Sequence, residues 1–360
     1  MTLASRVTIQ DIADALGVSR NTVSKAINNT PGLASATREK ILQKAAELGY
    51  KQFSYLNLMN TLPSAQSAAE AEQTHTGEIA LFTRGFVGGS HFAATMLDKF
   101  QRELSQMGFV MTMHHLTDTE VDGLSLPPTF RRERTCGIVC VEVFNRDYAR
   151  MLGTLELPLL FVDAPVRLDG ELLRSDVLLM DNTTGVFQFV KHMLETGRRR
   201  IGFVGSVIHC QSFVERYLAY RNAMHIFGGT LEDRFCIADT VGGQEYPSDE
   251  DYRSFLTKQL AAMDVLPDVF LCANDFIAVD TMMALRALGK SVPEDVQLCG
   301  FDDFPEAKIV SPSLTTIHIH SQTMGLSACH LLMSRIREPN LHFRSTYVET
   351  NLIYRQSAPY

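Results

Sequence analysis

The chain has 360 residues, enough for two or three domains. Hydrophobic residues make up 45% and charged residues 21%, which excludes a disordered or collagen-like chain. No stretch approaches the roughly 18 uncharged apolar residues of a membrane span, so no membrane association is expected. The opening MTLASRVTIQDIADALG has no apolar run of signal-peptide length, and the expected location is the cytoplasm. Charge is uneven: residues 1–59 carry +3 and the remainder −11. A small basic head on a large acidic body is the asymmetry of a chain whose one end meets a polyanion.

Residues 1–59 read as short helices. Thr8 and Asp11 have capping-box spacing and start a helix through Ala15, and Gly17 supplies the turn. Ser19 is placed to cap a second helix, SRNTVSKAIN, whose Val23, Ala26 and Ile27 face Ile12, Ala13 and Leu16. A third helix over 35–49 is expected to bury Ile41, Leu42, Ala45 and Leu48. This is a helix-turn-helix pattern, whose expected partner is double-stranded DNA; the alternative is a three-helix protein-interaction bundle with a solvated polar face. Arg20, Asn21 and Lys25 fall on the outer face of the second helix, whose N-terminal end reaches base edges in the major groove. Arg grips guanine and Asn grips adenine by paired hydrogen bonds. Thr8, Ser19, Asn28 and Thr37 suit phosphate contacts that fix register. Thr22, Ser24 and Tyr50 complete the expected DNA-facing set.

Residues 60–76, NTLPSAQSAAEAEQTHT, are poor in large apolar groups and read as a linker. From Gly77, apolar runs alternate with amphipathic segments. Strands are expected at 78–83, 109–115, 136–143, 157–163, 177–182, 200–206, 235–240, 267–274 and 295–303. The helices between them are 92–108, RDYARMLGTLE, 184–197, 212–228, 249–263 and 276–289. Near-continuous apolar strands, each followed by a helix, indicate parallel sheets covered on both faces, and their number calls for two α/β subdomains. The boundaries expected are 77–180 with 317–344 for the first, and 181–316 with 345–360 for the second.

The seven cysteines (136, 140, 210, 236, 272, 299 and 329) form no C-x-x-C pair and sit mostly in apolar runs. His114-His115 and His318-x-His320 lack a third partner, so no metal is expected. There is no P-loop, nucleophile elbow, H-E-x-x-H or G-x-G-x-x-G, so neither enzyme activity nor a cofactor is expected.

VTIQDIADALGVSRNTVSKAINN followed by ATREKILQKAAELGY resembles the DNA-binding head of the lactose-repressor (LacI) family of bacterial transcription regulators. DNTTGVFQFVKHMLETGRRRIGFVGS, FVERYLAYRNAM, FLCANDFIAVDTMMALRALGKSVPEDVQLCGFDD and PSLTTI are similar to that family's effector core. The resemblance implies a periplasmic-binding-protein-like fold. It also implies a homodimer on a pseudo-palindromic operator and a small polar effector, expected to be a sugar or sugar derivative. One segment departs from the family: KQFSYLNLMNT (51–61) has neither the Pro-Asn start nor the Ala-Arg pair of the usual hinge helix. Met59 stands where the family's leucine wedge enters the minor groove. By resemblance the effector meets Asp163, Arg216, Asn274, Asp275 and Asp302, with Phe86, Ser90 and His91 approaching from the first subdomain. Asp275 is as well placed to cap the helix beginning at Phe276. Two other classes fit parts of the chain: a solute-binding module without DNA specificity, and a sugar-acting enzyme using Asp163 and Asp302. The basic head favours the regulator.

Overall fold

The structure, a computed structural model, describes residues 8–27, 77–84, 91–167, 170, 172–238 and 249–360, and nine positions between 33 and 48. Asn28, Tyr50, the atypical hinge with Met59, the linker, Phe86 and Ser90 lie outside the described residues, as do the side chains of Ile27, Leu42 and His91. The chain divides into two units, 1–74 and 75–360.

In the first unit, helix α1 (Ile9–Leu16) begins at a reciprocal capping box. The Thr8 backbone N–H donates to Asp11 Oδ2 at 2.7 Å, and the Asp11 N–H returns a bond to Thr8 Oγ1 at 3.3 Å. Gly17 ends the helix at φ 64°, a left-handed conformation that costs a residue bearing Cβ. Helix α2 (Arg20–Ile27) starts where Ser19 Oγ accepts from the Thr22 N–H at 3.1 Å. Ile12, Ala13, Val23, Ala26, Ile41 and Ala45 form the small core. Leu48 was expected inside and is 37% exposed: it sits in a turn beyond the last helical position described, Ala45, off the inward face.

The second unit holds two sheets. The first runs β10-β5-β4-β3-β1-β2, all parallel, from β1 (Glu78–Thr83), β2 (Val110–His115), β3 (Thr135–Val141), β4 (Leu159–Val162), β5 (Asp176–Met180) and β10 (Ser345–Val348). The second runs β11-β9-β8-β7-β6, from β6 (Ile201–Val204), β7 (Val269–Cys272), β8 (Gln297–Asp302), β9 (Thr315–Ile319) and β11 (Thr350–Ile353). Only β11 is antiparallel to its neighbour, β9. Strands β4, β5, β6 and β7 are buried throughout, as helix-covered parallel strands must be.

The helices are α3 (His91–Gln106), α4 (Asp118–Asp122), α5 (Arg146–Gly153), α6 (Thr184–Glu195), α7 (Gln211–Ile226), α8 (Asp249–Ala261), α9 (Asp275–Ala287), α10 (Glu306–Ile309) and α11 (Ser321–Arg337). The chain passes between sheets after β5, between β9 and α11, which packs on α3, and between β10 and β11. The strand pairings therefore put residues 317–319 with the second sheet and 345–348 with the first, the reverse of the expected boundaries. The expected strand 235–240 is also absent as far as Ala238. Ile237 makes one isolated bridge to Val204, because the preceding Asp233–Phe235 turns as a 3-10 helix.

Candidate DNA-reading face and effector cleft

On α2, Arg20, Asn21 and Lys25 are exposed and have no protein partner among the described residues. Val23 and Ala26 hold the opposite face in the core. Ser19 and Thr8 are occupied by helix caps, and Ser19 Oγ also shares a hydrogen bond with Thr22 Oγ1 at 2.8 Å. Thr8 is exposed and Thr22, Ser24 and Thr37 are half-buried. The outcome is a short helix whose buried side fixes its rotation and whose other side offers a guanidinium, a carboxamide and an ammonium.

In the second unit a cavity of about 460 Å³ lies between the subdomains. Phe92 and Thr95 of α3 face residues 302–305, after β8, and residues 318–323, where β9 passes into α11. A volume of this size suits a small ligand. Of the expected contacts Asp302 lines the cavity directly.

Arg216 is buried behind Asp302. Its guanidinium lies 3.5 Å from the Phe301 ring centroid, its Nε donates to Asn182 Oδ1 at 2.9 Å, and its Nη1 donates to the Ala273 carbonyl at 2.6 Å. Nη1 also stands 3.7 Å from Asp302 Oδ1. Burial pushes the Asp302 carboxyl up to about 7; Arg216 pulls against the rise, and Asp163 and Glu142 add to it. Glu142, Asp163 and Asp302 stand at the carboxyl ends of β3, β4 and β8, with φ of 58°, 57° and 115°. Left-handed backbone at a non-glycine residue costs on the order of 1–3 kcal/mol, and such residues gather where function aims a side chain.

Asp163 spends Oδ1 on the N–H groups of Ala164, at 2.7 Å, and Ser212, at 3.2 Å, so it ties a strand end of the first subdomain to the start of α7 in the second. Asn274 caps α9 by accepting from the Ile277 N–H at 2.9 Å, which leaves its amide NH2 as a donor. Asp275 does not line the cavity. It has no exposed surface; Oδ1 accepts from Thr316 Oγ1 at 2.5 Å and Oδ2 from the Phe304 N–H at 3.2 Å. Gly300 makes room for it, since a Cβ there would stand 2.0 Å from Asp275 Oδ1. The helix cap falls to Asn274, and Asp275 is a strut that shapes the loop after β8.

The sequence reading missed Phe92, Thr95, Phe304, His318 and His320 of the cavity wall. Phe304 stacks on Phe276 with centroids 4.5 Å apart. His318 Nδ1 lies 3.0 Å from Asp303 Oδ2, and burial holds its imidazole below the usual range despite that carboxylate. His320 Nε2 lies 2.6 Å from Asn351 Oδ1. Asn182 was also missed, although a carboxamide directly after an apolar strand is the signal to look for in such folds.

An exposed recognition helix and a two-subdomain cleft in one chain define a class: ligand-responsive DNA-binding regulators. Residues 8–52 match the family model for bacterial regulatory proteins of the lacI family, and residues 190–358 match the periplasmic binding protein-like domain. By these two matches the chain is similar, in its head and in its body, to the LacI family of bacterial transcription regulators. It is 26% identical to the HTH-type transcriptional repressor PurR of Histophilus somni (strain 129Pt), over 97% of this chain and 98% of that one. It is likewise 26% identical to the HTH-type transcriptional regulator CelR of Thermobifida fusca, over 98% of each. Among solved structures, a transcriptional regulator CelR–cellobiose complex shares the fold with a TM-score of 0.65 at 22% identity, covering 98% of this chain and 100% of that one. The lac repressor dimer bound to operator and the anti-inducer ONPF has a TM-score of 0.61 at 20% identity, covering 99% of this chain and 100% of its own.

Proposed function

We propose that the protein is a dimeric repressor that binds a pseudo-palindromic operator in the cytoplasm and changes its grip when a sugar or sugar derivative enters the cleft, without turning that sugar over. The observation that carries the reading is the outer face of α2, with Arg20, Asn21 and Lys25 exposed and without a partner among the described residues, opposite a buried Val23 and Ala26. Phosphate contacts position such a helix, and base-edge contacts give it a sequence. The effector class rests on the cavity, where Asp302, Thr95, Ser321 and Thr323 offer oxygens to hydroxyl groups and Phe92 and Phe304 offer apolar surface to a sugar ring. The structural neighbours with cellobiose and ONPF bound support that class.

Two measurements test it. Selection of bound duplexes from a randomised pool by the full chain is expected to return an inverted repeat, with half-sites spaced by the dimer. Recovery of unrelated sequences contradicts the DNA-reading role. A thermal-shift panel of mono- and disaccharides against nucleobases is expected to show stabilisation by a sugar, and a panel in which only nucleobases stabilise overturns the effector class.

A further inference from the structure

Helix α7 carries a second residue that faces both subdomains. Glu215 is half-buried, and three donors converge on its carboxylate. Oε2 accepts from Asn182 Nδ2 at 2.9 Å; Oε1 accepts from Gln211 Nε2 at 3.0 Å and from the Tyr347 hydroxyl at 3.0 Å. Asn182 lies in the first crossing between the sheets, two residues after β5 ends, and is 1% exposed. Tyr347 belongs to β10 of the first sheet, next to the third crossing. Thr350 Oγ1 donates to the Asp181 carbonyl at 2.8 Å, and the Asp181 N–H donates to the Val348 carbonyl at 2.7 Å, so these two crossings move as one.

The orientation of Asn182 is not free. Its Oδ1 must accept from Arg216 Nε, which turns its NH2 toward Glu215. A continuous polar path therefore runs from Asp302 on the cavity wall through Arg216 and Asn182 to Glu215, and from there to Tyr347 on the first subdomain. We infer that Glu215 is the positioning residue that couples the cleft to the angle between the subdomains: its carboxylate holds β10 and the first crossing against α7 as long as Arg216 keeps Asn182 turned. A ligand that draws Arg216 toward Asp302, or away from it, changes the donor that Asn182 presents. An acceptor-only carboxylate suits this place, because each of its neighbours is a donor. Glutamine would set an NH2 against one of them. The tyrosine hydroxyl can rotate to accept, whereas Asn182 cannot turn without losing Arg216.

This inference rests on the effector-controlled reading above, and its test needs neither effector nor operator. Spin labels at Asp122→Cys in the first subdomain and Lys290→Cys in the second report the angle as a distance distribution. Both sites are exposed, and half-buried Cys136 and Cys236 are replaced by serine to keep labelling specific. The unliganded full chain is expected to give one narrow distance. Glu215→Ala and Asn182→Ala are expected to shift or split it, Glu215→Gln to do so less, and Tyr347→Phe to broaden it, with the thermal midpoint of Tyr347→Phe unchanged. Asp302→Asn is expected to move the same distribution, and to add nothing once Glu215 is alanine. Distributions of the Glu215→Ala and Tyr347→Phe chains that superimpose on the parent overturn the inference. Failure of the DNA selection experiment leaves this measurement standing, so the two readings fail separately.

Discussion

Arg216 lies over the Phe301 ring and 3.7 Å from Asp302, yet its shortest bonds go elsewhere, to Asn182 and the carbonyl of Ala273. The guanidinium is thus built into the second subdomain and reaches the cavity only through Asp302. A planar fork is required for this, because one edge serves Asn182 while another serves Ala273 and Asp302. Arg216→Lys keeps the charge and loses the fork. It is expected to weaken the binding of whichever sugar the thermal-shift panel returns by at least tenfold, with the fold intact by circular dichroism. Unchanged affinity in Arg216→Lys removes the residue from the site.

Asp302 gives the stability a pH signature. Its carboxyl is raised from an ordinary 3.8 to about 7 because burial disfavours the charge. Between those values the folded chain holds the proton that the unfolded chain has released, so this group's contribution to stability falls as pH rises through the window and levels off above it. Asp302→Asn removes the titration. The melting temperature of the parent is expected to fall relative to that of Asp302→Asn as pH rises from about 4 to about 7. Parallel curves contradict the assignment.

Asp176 behaves in the opposite sense. Burial works to raise its carboxyl, but hydrogen bonds from Arg335 and Arg344 win and hold it below the usual range. Arg335 is itself 3% exposed, and its Nε and Nη2 reach Asp176 at 3.0 and 2.9 Å. Removing one member of a buried ion pair strands the other, at a cost of about 3–5 kcal/mol. Asp176→Ala is expected to lower the denaturant midpoint accordingly, and the parent is expected to lose stability as pH falls below the ordinary carboxylate range. A change under about 1 kcal/mol in Asp176→Ala shows that solvent reaches the triad.

Asp275 separates shape from contact. Truncating it leaves the Phe304 N–H and the Thr316 hydroxyl without an acceptor, each worth about 1–3 kcal/mol when buried. Asp275→Ala is expected to destabilise the chain and disorder the loop that carries Phe304. Asn274→Ala removes the α9 cap, which is expected to cost about 1 kcal/mol. Denaturant curves for the two variants should rank in that order. An Asp275→Ala chain as stable as its parent shows that the carboxylate is not a strut.

The head was the most legible part of the chain, because its signals are local. Thr8 with Asp11, Gly17 and Ser19 each determine a cap or a turn within four residues, and the structure places each where that chemistry puts it. The strands were legible because β3 to β7 are apolar runs that only covered sheets bury. The cavity was much less so. Phe92 and Phe304 come from opposite subdomains, and neither residue type marks a site on its own. Asn274 and Asp275 are adjacent, and only the fold shows that one caps a helix while the other holds Thr316. The expected strand at 235–240 failed over 235–238 for a similar reason: its apolar residues there pack without a full ladder, and among the described residues β6 receives from it one bridge, at Ile237.

Base reading by α2 is the step on which operator specificity depends. Equilibrium binding of the full chain to a duplex recovered by selection, set against the same duplex with its half-sites scrambled, tests it most directly. Specific binding is expected to exceed non-specific binding by about 10³-fold or more at physiological salt. Arg20→Ala is expected to lose about 1–3 kcal/mol on the selected duplex, to relax preference at one base pair of each half-site, and to bind scrambled DNA with little further loss. Equal affinity of the parent for selected and scrambled duplexes, or uniform weakening of Arg20→Ala across both, contradicts the account.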